Sequence, residues 1–401
     1  MRLVHCVTKK IKEFAQDVPQ YAILSHTWEV EELSFALLSE HGPSRLVTKR
    51  KGWSKIDWAC EQAIEDGLEY VWVDTVCIDK TSSVELSEAI NSMYDYYKNA
   101  SACYVYLFDV CSHRSEEECP TDQTVPFDGS RWFTRGWTLQ ELIAPLDMMF
   151  FDHHWNHLVT KTDALTELTK ITGIDELFLY GGNLRLASIA RIMSWASRRE
   201  TTRKEDQAYS LLGLFGISMP MLYGEGDAAF IRLQKMLIET YDDQSVFAWD
   251  WPSSFCDAWW GVLAPAPSFF RNSGNIIPVS ALHDLNELPS ETAPATLTSR
   301  GVLFHACALH TTGKAETVGG LLQLRCVDIE KSKTMGPTQL GYASVRRSLE
   351  TKGGDLAMDE LSHSVEYQQD GLRINACVYQ SDIGGAYNLS IFAHPHPVAT
   401  A

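Results

Sequence analysis

A glutamate placed one helical turn beyond a tryptophan is the most chemically suggestive pair in this chain. Trp137 and Glu141 lie four residues apart in a stretch of helical character, so the ring and the carboxylate share a face. A carboxylate in such a place can stabilise positive charge that develops on a bound ligand, and a ring can stack on a base. The same two residues also suit a core ring beside a carboxylate that pairs with Arg135. Ser25, His26 and Trp28 follow a short apolar run, where a histidine can hydrogen-bond a ligand or satisfy a buried carbonyl. Asp74 and Asp79 flank Cys77 after a second run; two such carboxylates can hold ligand hydroxyls or order the loop as an Asp turn. Cys77 and His26 have the types of a nucleophile and its base, but nothing in the sequence sets their separation, and a buried thiol is usually inert. His153, His154 and His157 form an HHxxH pattern that lacks the glutamate of HExxH, so no metal is expected there.

Elements with two different periods must position these groups. The runs Tyr21–His26, Tyr70–Asp74, Ala102–Leu107 and Met148–Phe151 are continuously apolar and read as buried strands. Between them Ile56, Ala59, Cys60 and Ala63 recur at helical spacing, as do Leu86, Ala89, Ile90, Met93, Tyr94 and Tyr97. Alternation of this kind implies an α/β fold, with a parallel sheet covered on both faces and ligand-binding loops at the carboxyl ends of its strands. A helix is expected over Thr138–Ile143, ending before Pro145. Residues 111–130 read as a polar loop and 160–242 as mostly helical. Beyond Trp251-Pro252-Ser253-Ser254 the β-prone runs Gly301–Phe304 and Leu321–Leu324 stand between turn-rich segments, which suggests a second, β-rich domain.

Composition narrows the function classes. The 401 residues are 45% hydrophobic and 21% charged, as in ordinary globular proteins, and two domains are the default at this length. A formal net charge of −18 disfavours a phosphate backbone as partner. The short basic stretches Lys49-Arg50-Lys51, Arg198-Arg199 and Arg203-Lys204 read as solvated faces. No apolar run approaches the roughly 18 residues that cross a bilayer, and no secretory signal is legible at the N-terminus. Ten cysteines without a CxxC pair fit reduced thiols in the cytoplasm. Neither GxxxxGK[ST] nor GxGxxG is present, which leaves an NTPase or a Rossmann dehydrogenase unsupported.

Three blocks resemble the signature of fungal HET (heterokaryon incompatibility) domains: Tyr21 to Trp28 (YAILSHTW), Tyr70 to Asp79 (YVWVDTVCID) and Arg135 to Leu142 (RGWTLQEL). A fourth, from Glu205 through Tyr223-Gly224-Glu225-Gly226 to Gln234, resembles the tail these domains often carry. The resemblance implies a HET domain over residues 1–250, with a TIR/flavodoxin-like parallel sheet, flanking helices and a helical extension, and a smaller domain of unassigned role over 255–401. HET domains are linked to fungal self/non-self recognition and cell death, and they are similar in turn to TIR domains, some of which hydrolyse NAD. The TIR pattern of a Trp, a Glu four positions on and an apolar residue corresponds to Trp137, Glu141 and Leu142. It implies Glu141 as the catalytic residue and NAD as substrate, with no further cofactor. Cleavage at the nicotinamide–ribose bond passes through an oxocarbenium-like state, and nicotinamide leaves as a neutral base, so one carboxylate is chemically adequate. Ser25, His26, Trp28, Asp74, Cys77, Asp79 and Trp137 would line the pocket, with Arg131 and Arg135 gripping the pyrophosphate. Related sites can need two subunits, so a homo-oligomer enters the expectation. Two other readings stay open: a non-catalytic module for homotypic assembly, and a biosynthetic enzyme that uses Cys77 or His26.

Overall fold

The apolar runs of the first half become adjacent strands, and short polar strands close the edges of their sheet. The computed structural model describes residues 1–112, 125–249 and 263–278 and, further along, the backbone of strands between 296 and 392. Residues 113–124 of the expected polar loop, and the expected domain boundary at 251–254, lie outside the described residues. The backbone divides into two compact units, Met1–Leu184 with Arg199–Gly224, and Arg185–Arg198 with Glu225–Ala401.

The first unit holds, in chain order, strands β1 (Arg2–His5), β2 (Ile11–Glu13) and β3 (Ala22–His26), then helices α1 (Phe35–His41), α2 (Arg45–Thr48) and α3 (Lys51–Glu65). Strand β4 (Tyr70–Trp72), helices α4 (Asp74–Cys77) and α5 (Ser83–Lys98), and strand β5 (Ala102–Tyr106) come next. Helix α6 (Thr138–Ile143) and strands β6 (Met148–Phe151) and β7 (His157–Thr160) follow. Among the described residues they build a seven-stranded sheet in the order β2-β1-β4-β3-β5-β6-β7. Strands β4, β3, β5 and β6 are parallel, with Ala22 level with Val71 and with Ala102. Taken alone, these four stand in the order second, first, third, fourth, which is that of flavodoxin-like sheets. All residues of β3 and β5 are buried, as continuous apolar runs require of strands covered on both faces.

The edges depart from an all-parallel sheet. β1 pairs antiparallel with both β2 and β4, and β7 returns antiparallel along β6. Between β6 and β7 the chain turns back within a few residues at Trp155 (φ +64°), and so short a connection permits only an antiparallel return. Strand β4 is also shorter than its apolar run. Val73 is extended, but its carbonyl accepts from the amides of Val76 (3.2 Å) and Cys77 (2.8 Å), so Asp74 opens a helical turn.

Two helices bring polar groups to the sheet on otherwise apolar faces. α5 is capped by Ser82, whose hydroxyl accepts from Glu85 N (3.3 Å), and it buries Ala89, Ile90, Met93 and Tyr97. α3 buries Lys55 together with Ile56, Ala59, Cys60 and Ala63. The stretch read as helical after residue 160 contains helices at Leu165–Thr172, Glu176–Leu179, Ile189–Ala196, Asp206–Tyr209, Leu212–Phe215 and Ala228–Thr240.

In the second unit the described strands form a nine-stranded sheet. Its ladders are antiparallel, and it includes the runs at 301–304 and 321–324. Helix Ile189–Ala196 belongs to this unit: Arg191 Nε donates to Gly274 O (2.7 Å) and Ser188 Oγ to Ile276 O (2.5 Å). Among the described residues no helix is long and apolar enough to cross a membrane.

Candidate functional site

β3 lies between β4 and β5, where the chain's crossovers leave to opposite sides, and a sheet of this order opens a crevice at the carboxyl ends of those two strands. The last two residues of β3 are Ser25 and His26. Successive side chains on a strand point to opposite faces, so each supplies a different set of partners. All the groups of the site described below, exposed Arg198 apart, belong to the first unit.

On the Ser25 face the hydroxyl donates to Glu141 Oε2 (2.5 Å) and accepts from Trp132 Nε1 (2.8 Å). Glu141 is buried within α6, every residue of which is buried. A second hydrogen bond to its carboxylate comes from Tyr97 of α5, whose hydroxyl also lies 3.3 Å from Leu24 O. Among the described residues no cation forms an ion pair with Glu141. Burial pushes the carboxyl up to about 7; the hydrogen bonds from Ser25 and Tyr97 and the charge of Arg135 oppose this, while Asp74 adds to it. Arg199 is a second counter-charge, held in place by the chain around it. Its guanidinium donates to Arg135 O and to Thr138 Oγ1, both at 2.9 Å, and burial lowers it to about 9 against the pull of Glu141.

The segment that carries Arg199 packs against a glycine. Gly136 N donates to Glu200 O (2.8 Å), and a Cβ at position 136 would lie 2.4 Å from Thr201 Cγ2. A side chain at this position would require the Thr201 methyl to move, whereas the nearest backbone atom, Glu200 O, would stand at 3.6 Å. The reading of Arg198-Arg199 as a solvated face therefore holds for exposed Arg198 and fails for Arg199, which turns inward.

On the other face His26 is buried, and neither ring nitrogen has a hydrogen-bond partner. Nε2 lies 3.7 Å from Asp74 Oδ1 and 3.9 Å from Glu32 Oε2. Glu32 Oε1 accepts from Glu29 N (2.7 Å) and from Lys55 Nζ, and Oε2 is buried without a partner. Asp74 Oδ2 accepts from Trp28 Nε1 (2.9 Å) and from Lys80 Nζ (3.5 Å), which stands 3.6 Å above the Trp28 ring. Burial, reinforced by the charges of Lys55, Lys80 and Arg135, holds His26 well below its ordinary value, so the imidazole is neutral.

The remaining residues singled out from the sequence divide between this place and others. Arg131 donates to Thr27 Oγ1 and Trp28 O (both 3.1 Å) and is ion-paired with Glu29, so it ties down the loop after β3. The Arg135 guanidinium forms no ion pair among the described residues, and its charge is felt by both Glu141 and His26. Trp137 precedes α6 and donates to the carboxylate of Asp206. Asp79 accepts from Thr81 N (3.0 Å) and Oγ1 (2.6 Å), an Asp turn that orders the loop. Cys77 is buried, takes a hydrogen bond from Val73 N (3.4 Å) and makes none to His26; burial pushes its thiol up to about 12. His153 Nδ1 lies 2.9 Å from Phe108 O, and among the described residues no three His, Cys, Asp or Glu side chains are grouped as for a metal ion.

Sequence reasoning overlooked Glu32, Lys55, Tyr97, Trp132 and Arg199. Tyr97 sits on the apolar face of α5 and reads as core, and nothing local marks Glu32 or Lys55, which meet across 23 residues. Trp132 carried one signal, its place between the two noted arginines.

Comparison with known proteins bears on this region. Residues 21–125 match the family described as heterokaryon incompatibility protein (HET), a span that includes Ser25, His26, Glu32 and Asp74 and stops short of Glu141. The vegetative incompatibility protein HET-E-1 of Podospora anserina is 43% identical over 223 residues, which is 55% of this chain and 16% of that protein. The chain thus aligns with only a small part of that relative. No solved structure matches it.

Proposed function

We propose that this chain, which carries a HET domain, cleaves the nicotinamide–ribose bond of NAD as the effector step of a fungal incompatibility response that ends in cell death. The observation that carries the reading is the state of Glu141: a buried carboxylate at the carboxyl rim of the sheet, held by neutral donors and paired with no cation.

A structural carboxylate at such depth is usually paired, because an unpaired buried charge is costly. A catalytic one gains from being left unpaired, since its field on a nearby cation is stronger away from water. As the C1′–nitrogen bond breaks, the electron pair leaves with nicotinamide and positive charge spreads over C1′ and the ring oxygen. Glu141 faces that charge, water adds to C1′, and the proton it loses passes to the carboxylate and then to solvent. The products are ADP-ribose, nicotinamide and one proton. With a carboxyl near 7, Glu141 is available both as the anion and as the proton acceptor at neutral pH. Arg135, whose guanidinium is not ion-paired, is the group for the pyrophosphate; Arg131 is already occupied by Glu29, Thr27 and Trp28.

The alternative with Cys77 as nucleophile and His26 as base finds no support. The thiol is protonated at neutral pH, and no hydrogen bond joins it to His26. The test is nicotinamide release from NAD by the full chain, over protein concentrations that include those driving self-association. Release by the parent protein and its loss in Glu141→Gln is the expected result. No release at any concentration would reject catalysis and leave homotypic assembly as the function.

A further inference from the structure

The face of β3 opposite Glu141 ends in an arrangement that the protein itself leaves incomplete. Three polar atoms converge there: His26 Nε2, Glu32 Oε2 and Asp74 Oδ1. The gaps from Nε2, 3.7 and 3.9 Å, are too long for hydrogen bonds and suit an inserted oxygen within about 3 Å of both neighbours. The His26 side chain is 1% exposed, and both its nitrogens lack partners, as does Glu32 Oε2. Buried polar groups are normally satisfied, so two unsatisfied atoms, His26 Nε2 and Glu32 Oε2, facing each other beside Asp74 Oδ1 mark a place that something polar completes.

The surroundings define what fits. Each carboxylate already meets a lysine through its other oxygen, Lys55 on Glu32 and Lys80 on Asp74. Their inward oxygens are therefore acceptors that repel phosphate without requiring a further cation. A neutral imidazole offers one N–H beside them. Two acceptors and a donor within this space match a vicinal diol, with each hydroxyl donating to one carboxylate and one of them accepting from His26. Acidic residues at the carboxyl end of α/β strands recognise ribose in this way. Asp74 follows β4, the strand beside β3, and its charge raises the Glu141 carboxyl.

We propose that His26, Glu32 and Asp74 form a diol subsite that takes the 2′,3′-hydroxyls of the ribose whose glycosidic carbon faces Glu141. The assignment of that ribose rests on the NAD-cleaving reading; the hydroxyl recognition is tested without cleavage.

ADP-ribose has no nicotinamide bond to break, so its binding to the full chain is measured by calorimetry against its counterpart with 2′-deoxyribose at the distal sugar. The parent protein is expected to prefer ADP-ribose about tenfold, as for one hydrogen bond to a charged acceptor. In Glu32→Gln that preference falls to near one. Asp74→Asn, whose lysine partner is partly exposed, repeats the measurement if the Glu32 variant does not fold. Equal binding of the two ligands by the parent, an unchanged preference in both variants, binding of neither ligand, or binding seen only with an added divalent cation would each overturn the proposal. If NAD is cleaved and the preference does not move, the subsite falls alone. If the preference behaves as expected and no nicotinamide is released, the cleavage reading falls alone.

Discussion

Ser25 and His26 are neighbours on one strand, yet they face two differently built places. On the Ser25 side a buried carboxylate is held by a hydroxyl, a phenol and no cation, and its acidity is displaced to about 7. On the His26 side each carboxylate is matched by a lysine: Glu32 with Lys55 in the interior, Asp74 with Lys80 nearer the surface. Glu32 is also raised, with burial the main cause, but Lys55 opposes it directly. The difference teaches how a fold assigns roles to acids of one kind. Paired acids each meet a fixed cation and become scaffolding or recognition. The unpaired acid stays near its midpoint at neutral pH and is available for chemistry.

Removing the unpaired acid is the sharpest way to break this contrast. Glu141→Gln is expected to lower nicotinamide release about 10³-fold, the usual effect of deleting a preorganised electrostatic stabiliser. The same change should make the fold more stable at pH 8. Because the folded carboxyl titrates above its unfolded value, its deprotonation weakens the native state as pH rises beyond the ordinary carboxylate range. Denaturant titration should therefore show a gain of about 2 kcal/mol at pH 8 that fades by pH 5. A loss of stability at pH 8 would mean the carboxylate is structural.

Unpairing an acid on the other face should act oppositely. Lys55→Met strands Glu32 beneath the surface and is expected to cost about 3 kcal/mol of folding stability. Lys80→Met, with its ammonium partly exposed, should cost less than about 1 kcal/mol. Equal effects from the two would show that burial does not separate these pairs.

Acidity supplies a subtler test. Nicotinamide release should rise with pH through about 7, as Glu141 loses its proton. Ser25 stabilises the anion, so Ser25→Ala should move that limb to higher pH and lower the rate at pH 7 about tenfold. A limb that stays in place would remove Glu141 from the rate-controlling ionisation. The smallest effect belongs to Cys77→Ala, for which nicotinamide release per folded molecule should be unchanged, the thiol lying among backbone groups away from His26.

The sequence alone determined the α/β class, the four central strands and the helix that carries Glu141. Each rests on a local pattern: a continuous apolar run, a 3.6-residue spacing, a stop before Pro145. Edge strands β1, β2 and β7 escaped notice because they are short and half polar, and an edge strand is recognised by its neighbour rather than by its own residues. The candidate site was partly legible, since Ser25, His26, Trp28, Asp74 and Arg135 sit at strand or helix ends where ligands gather. Which acid would be paired was decided only in three dimensions. Ser25 reaches Glu141 across 116 residues, and Lys55 reaches Glu32 across 23. The state of a carboxylate depends on how much water it loses and which charges replace that water, and those neighbours arrive from distant parts of the chain.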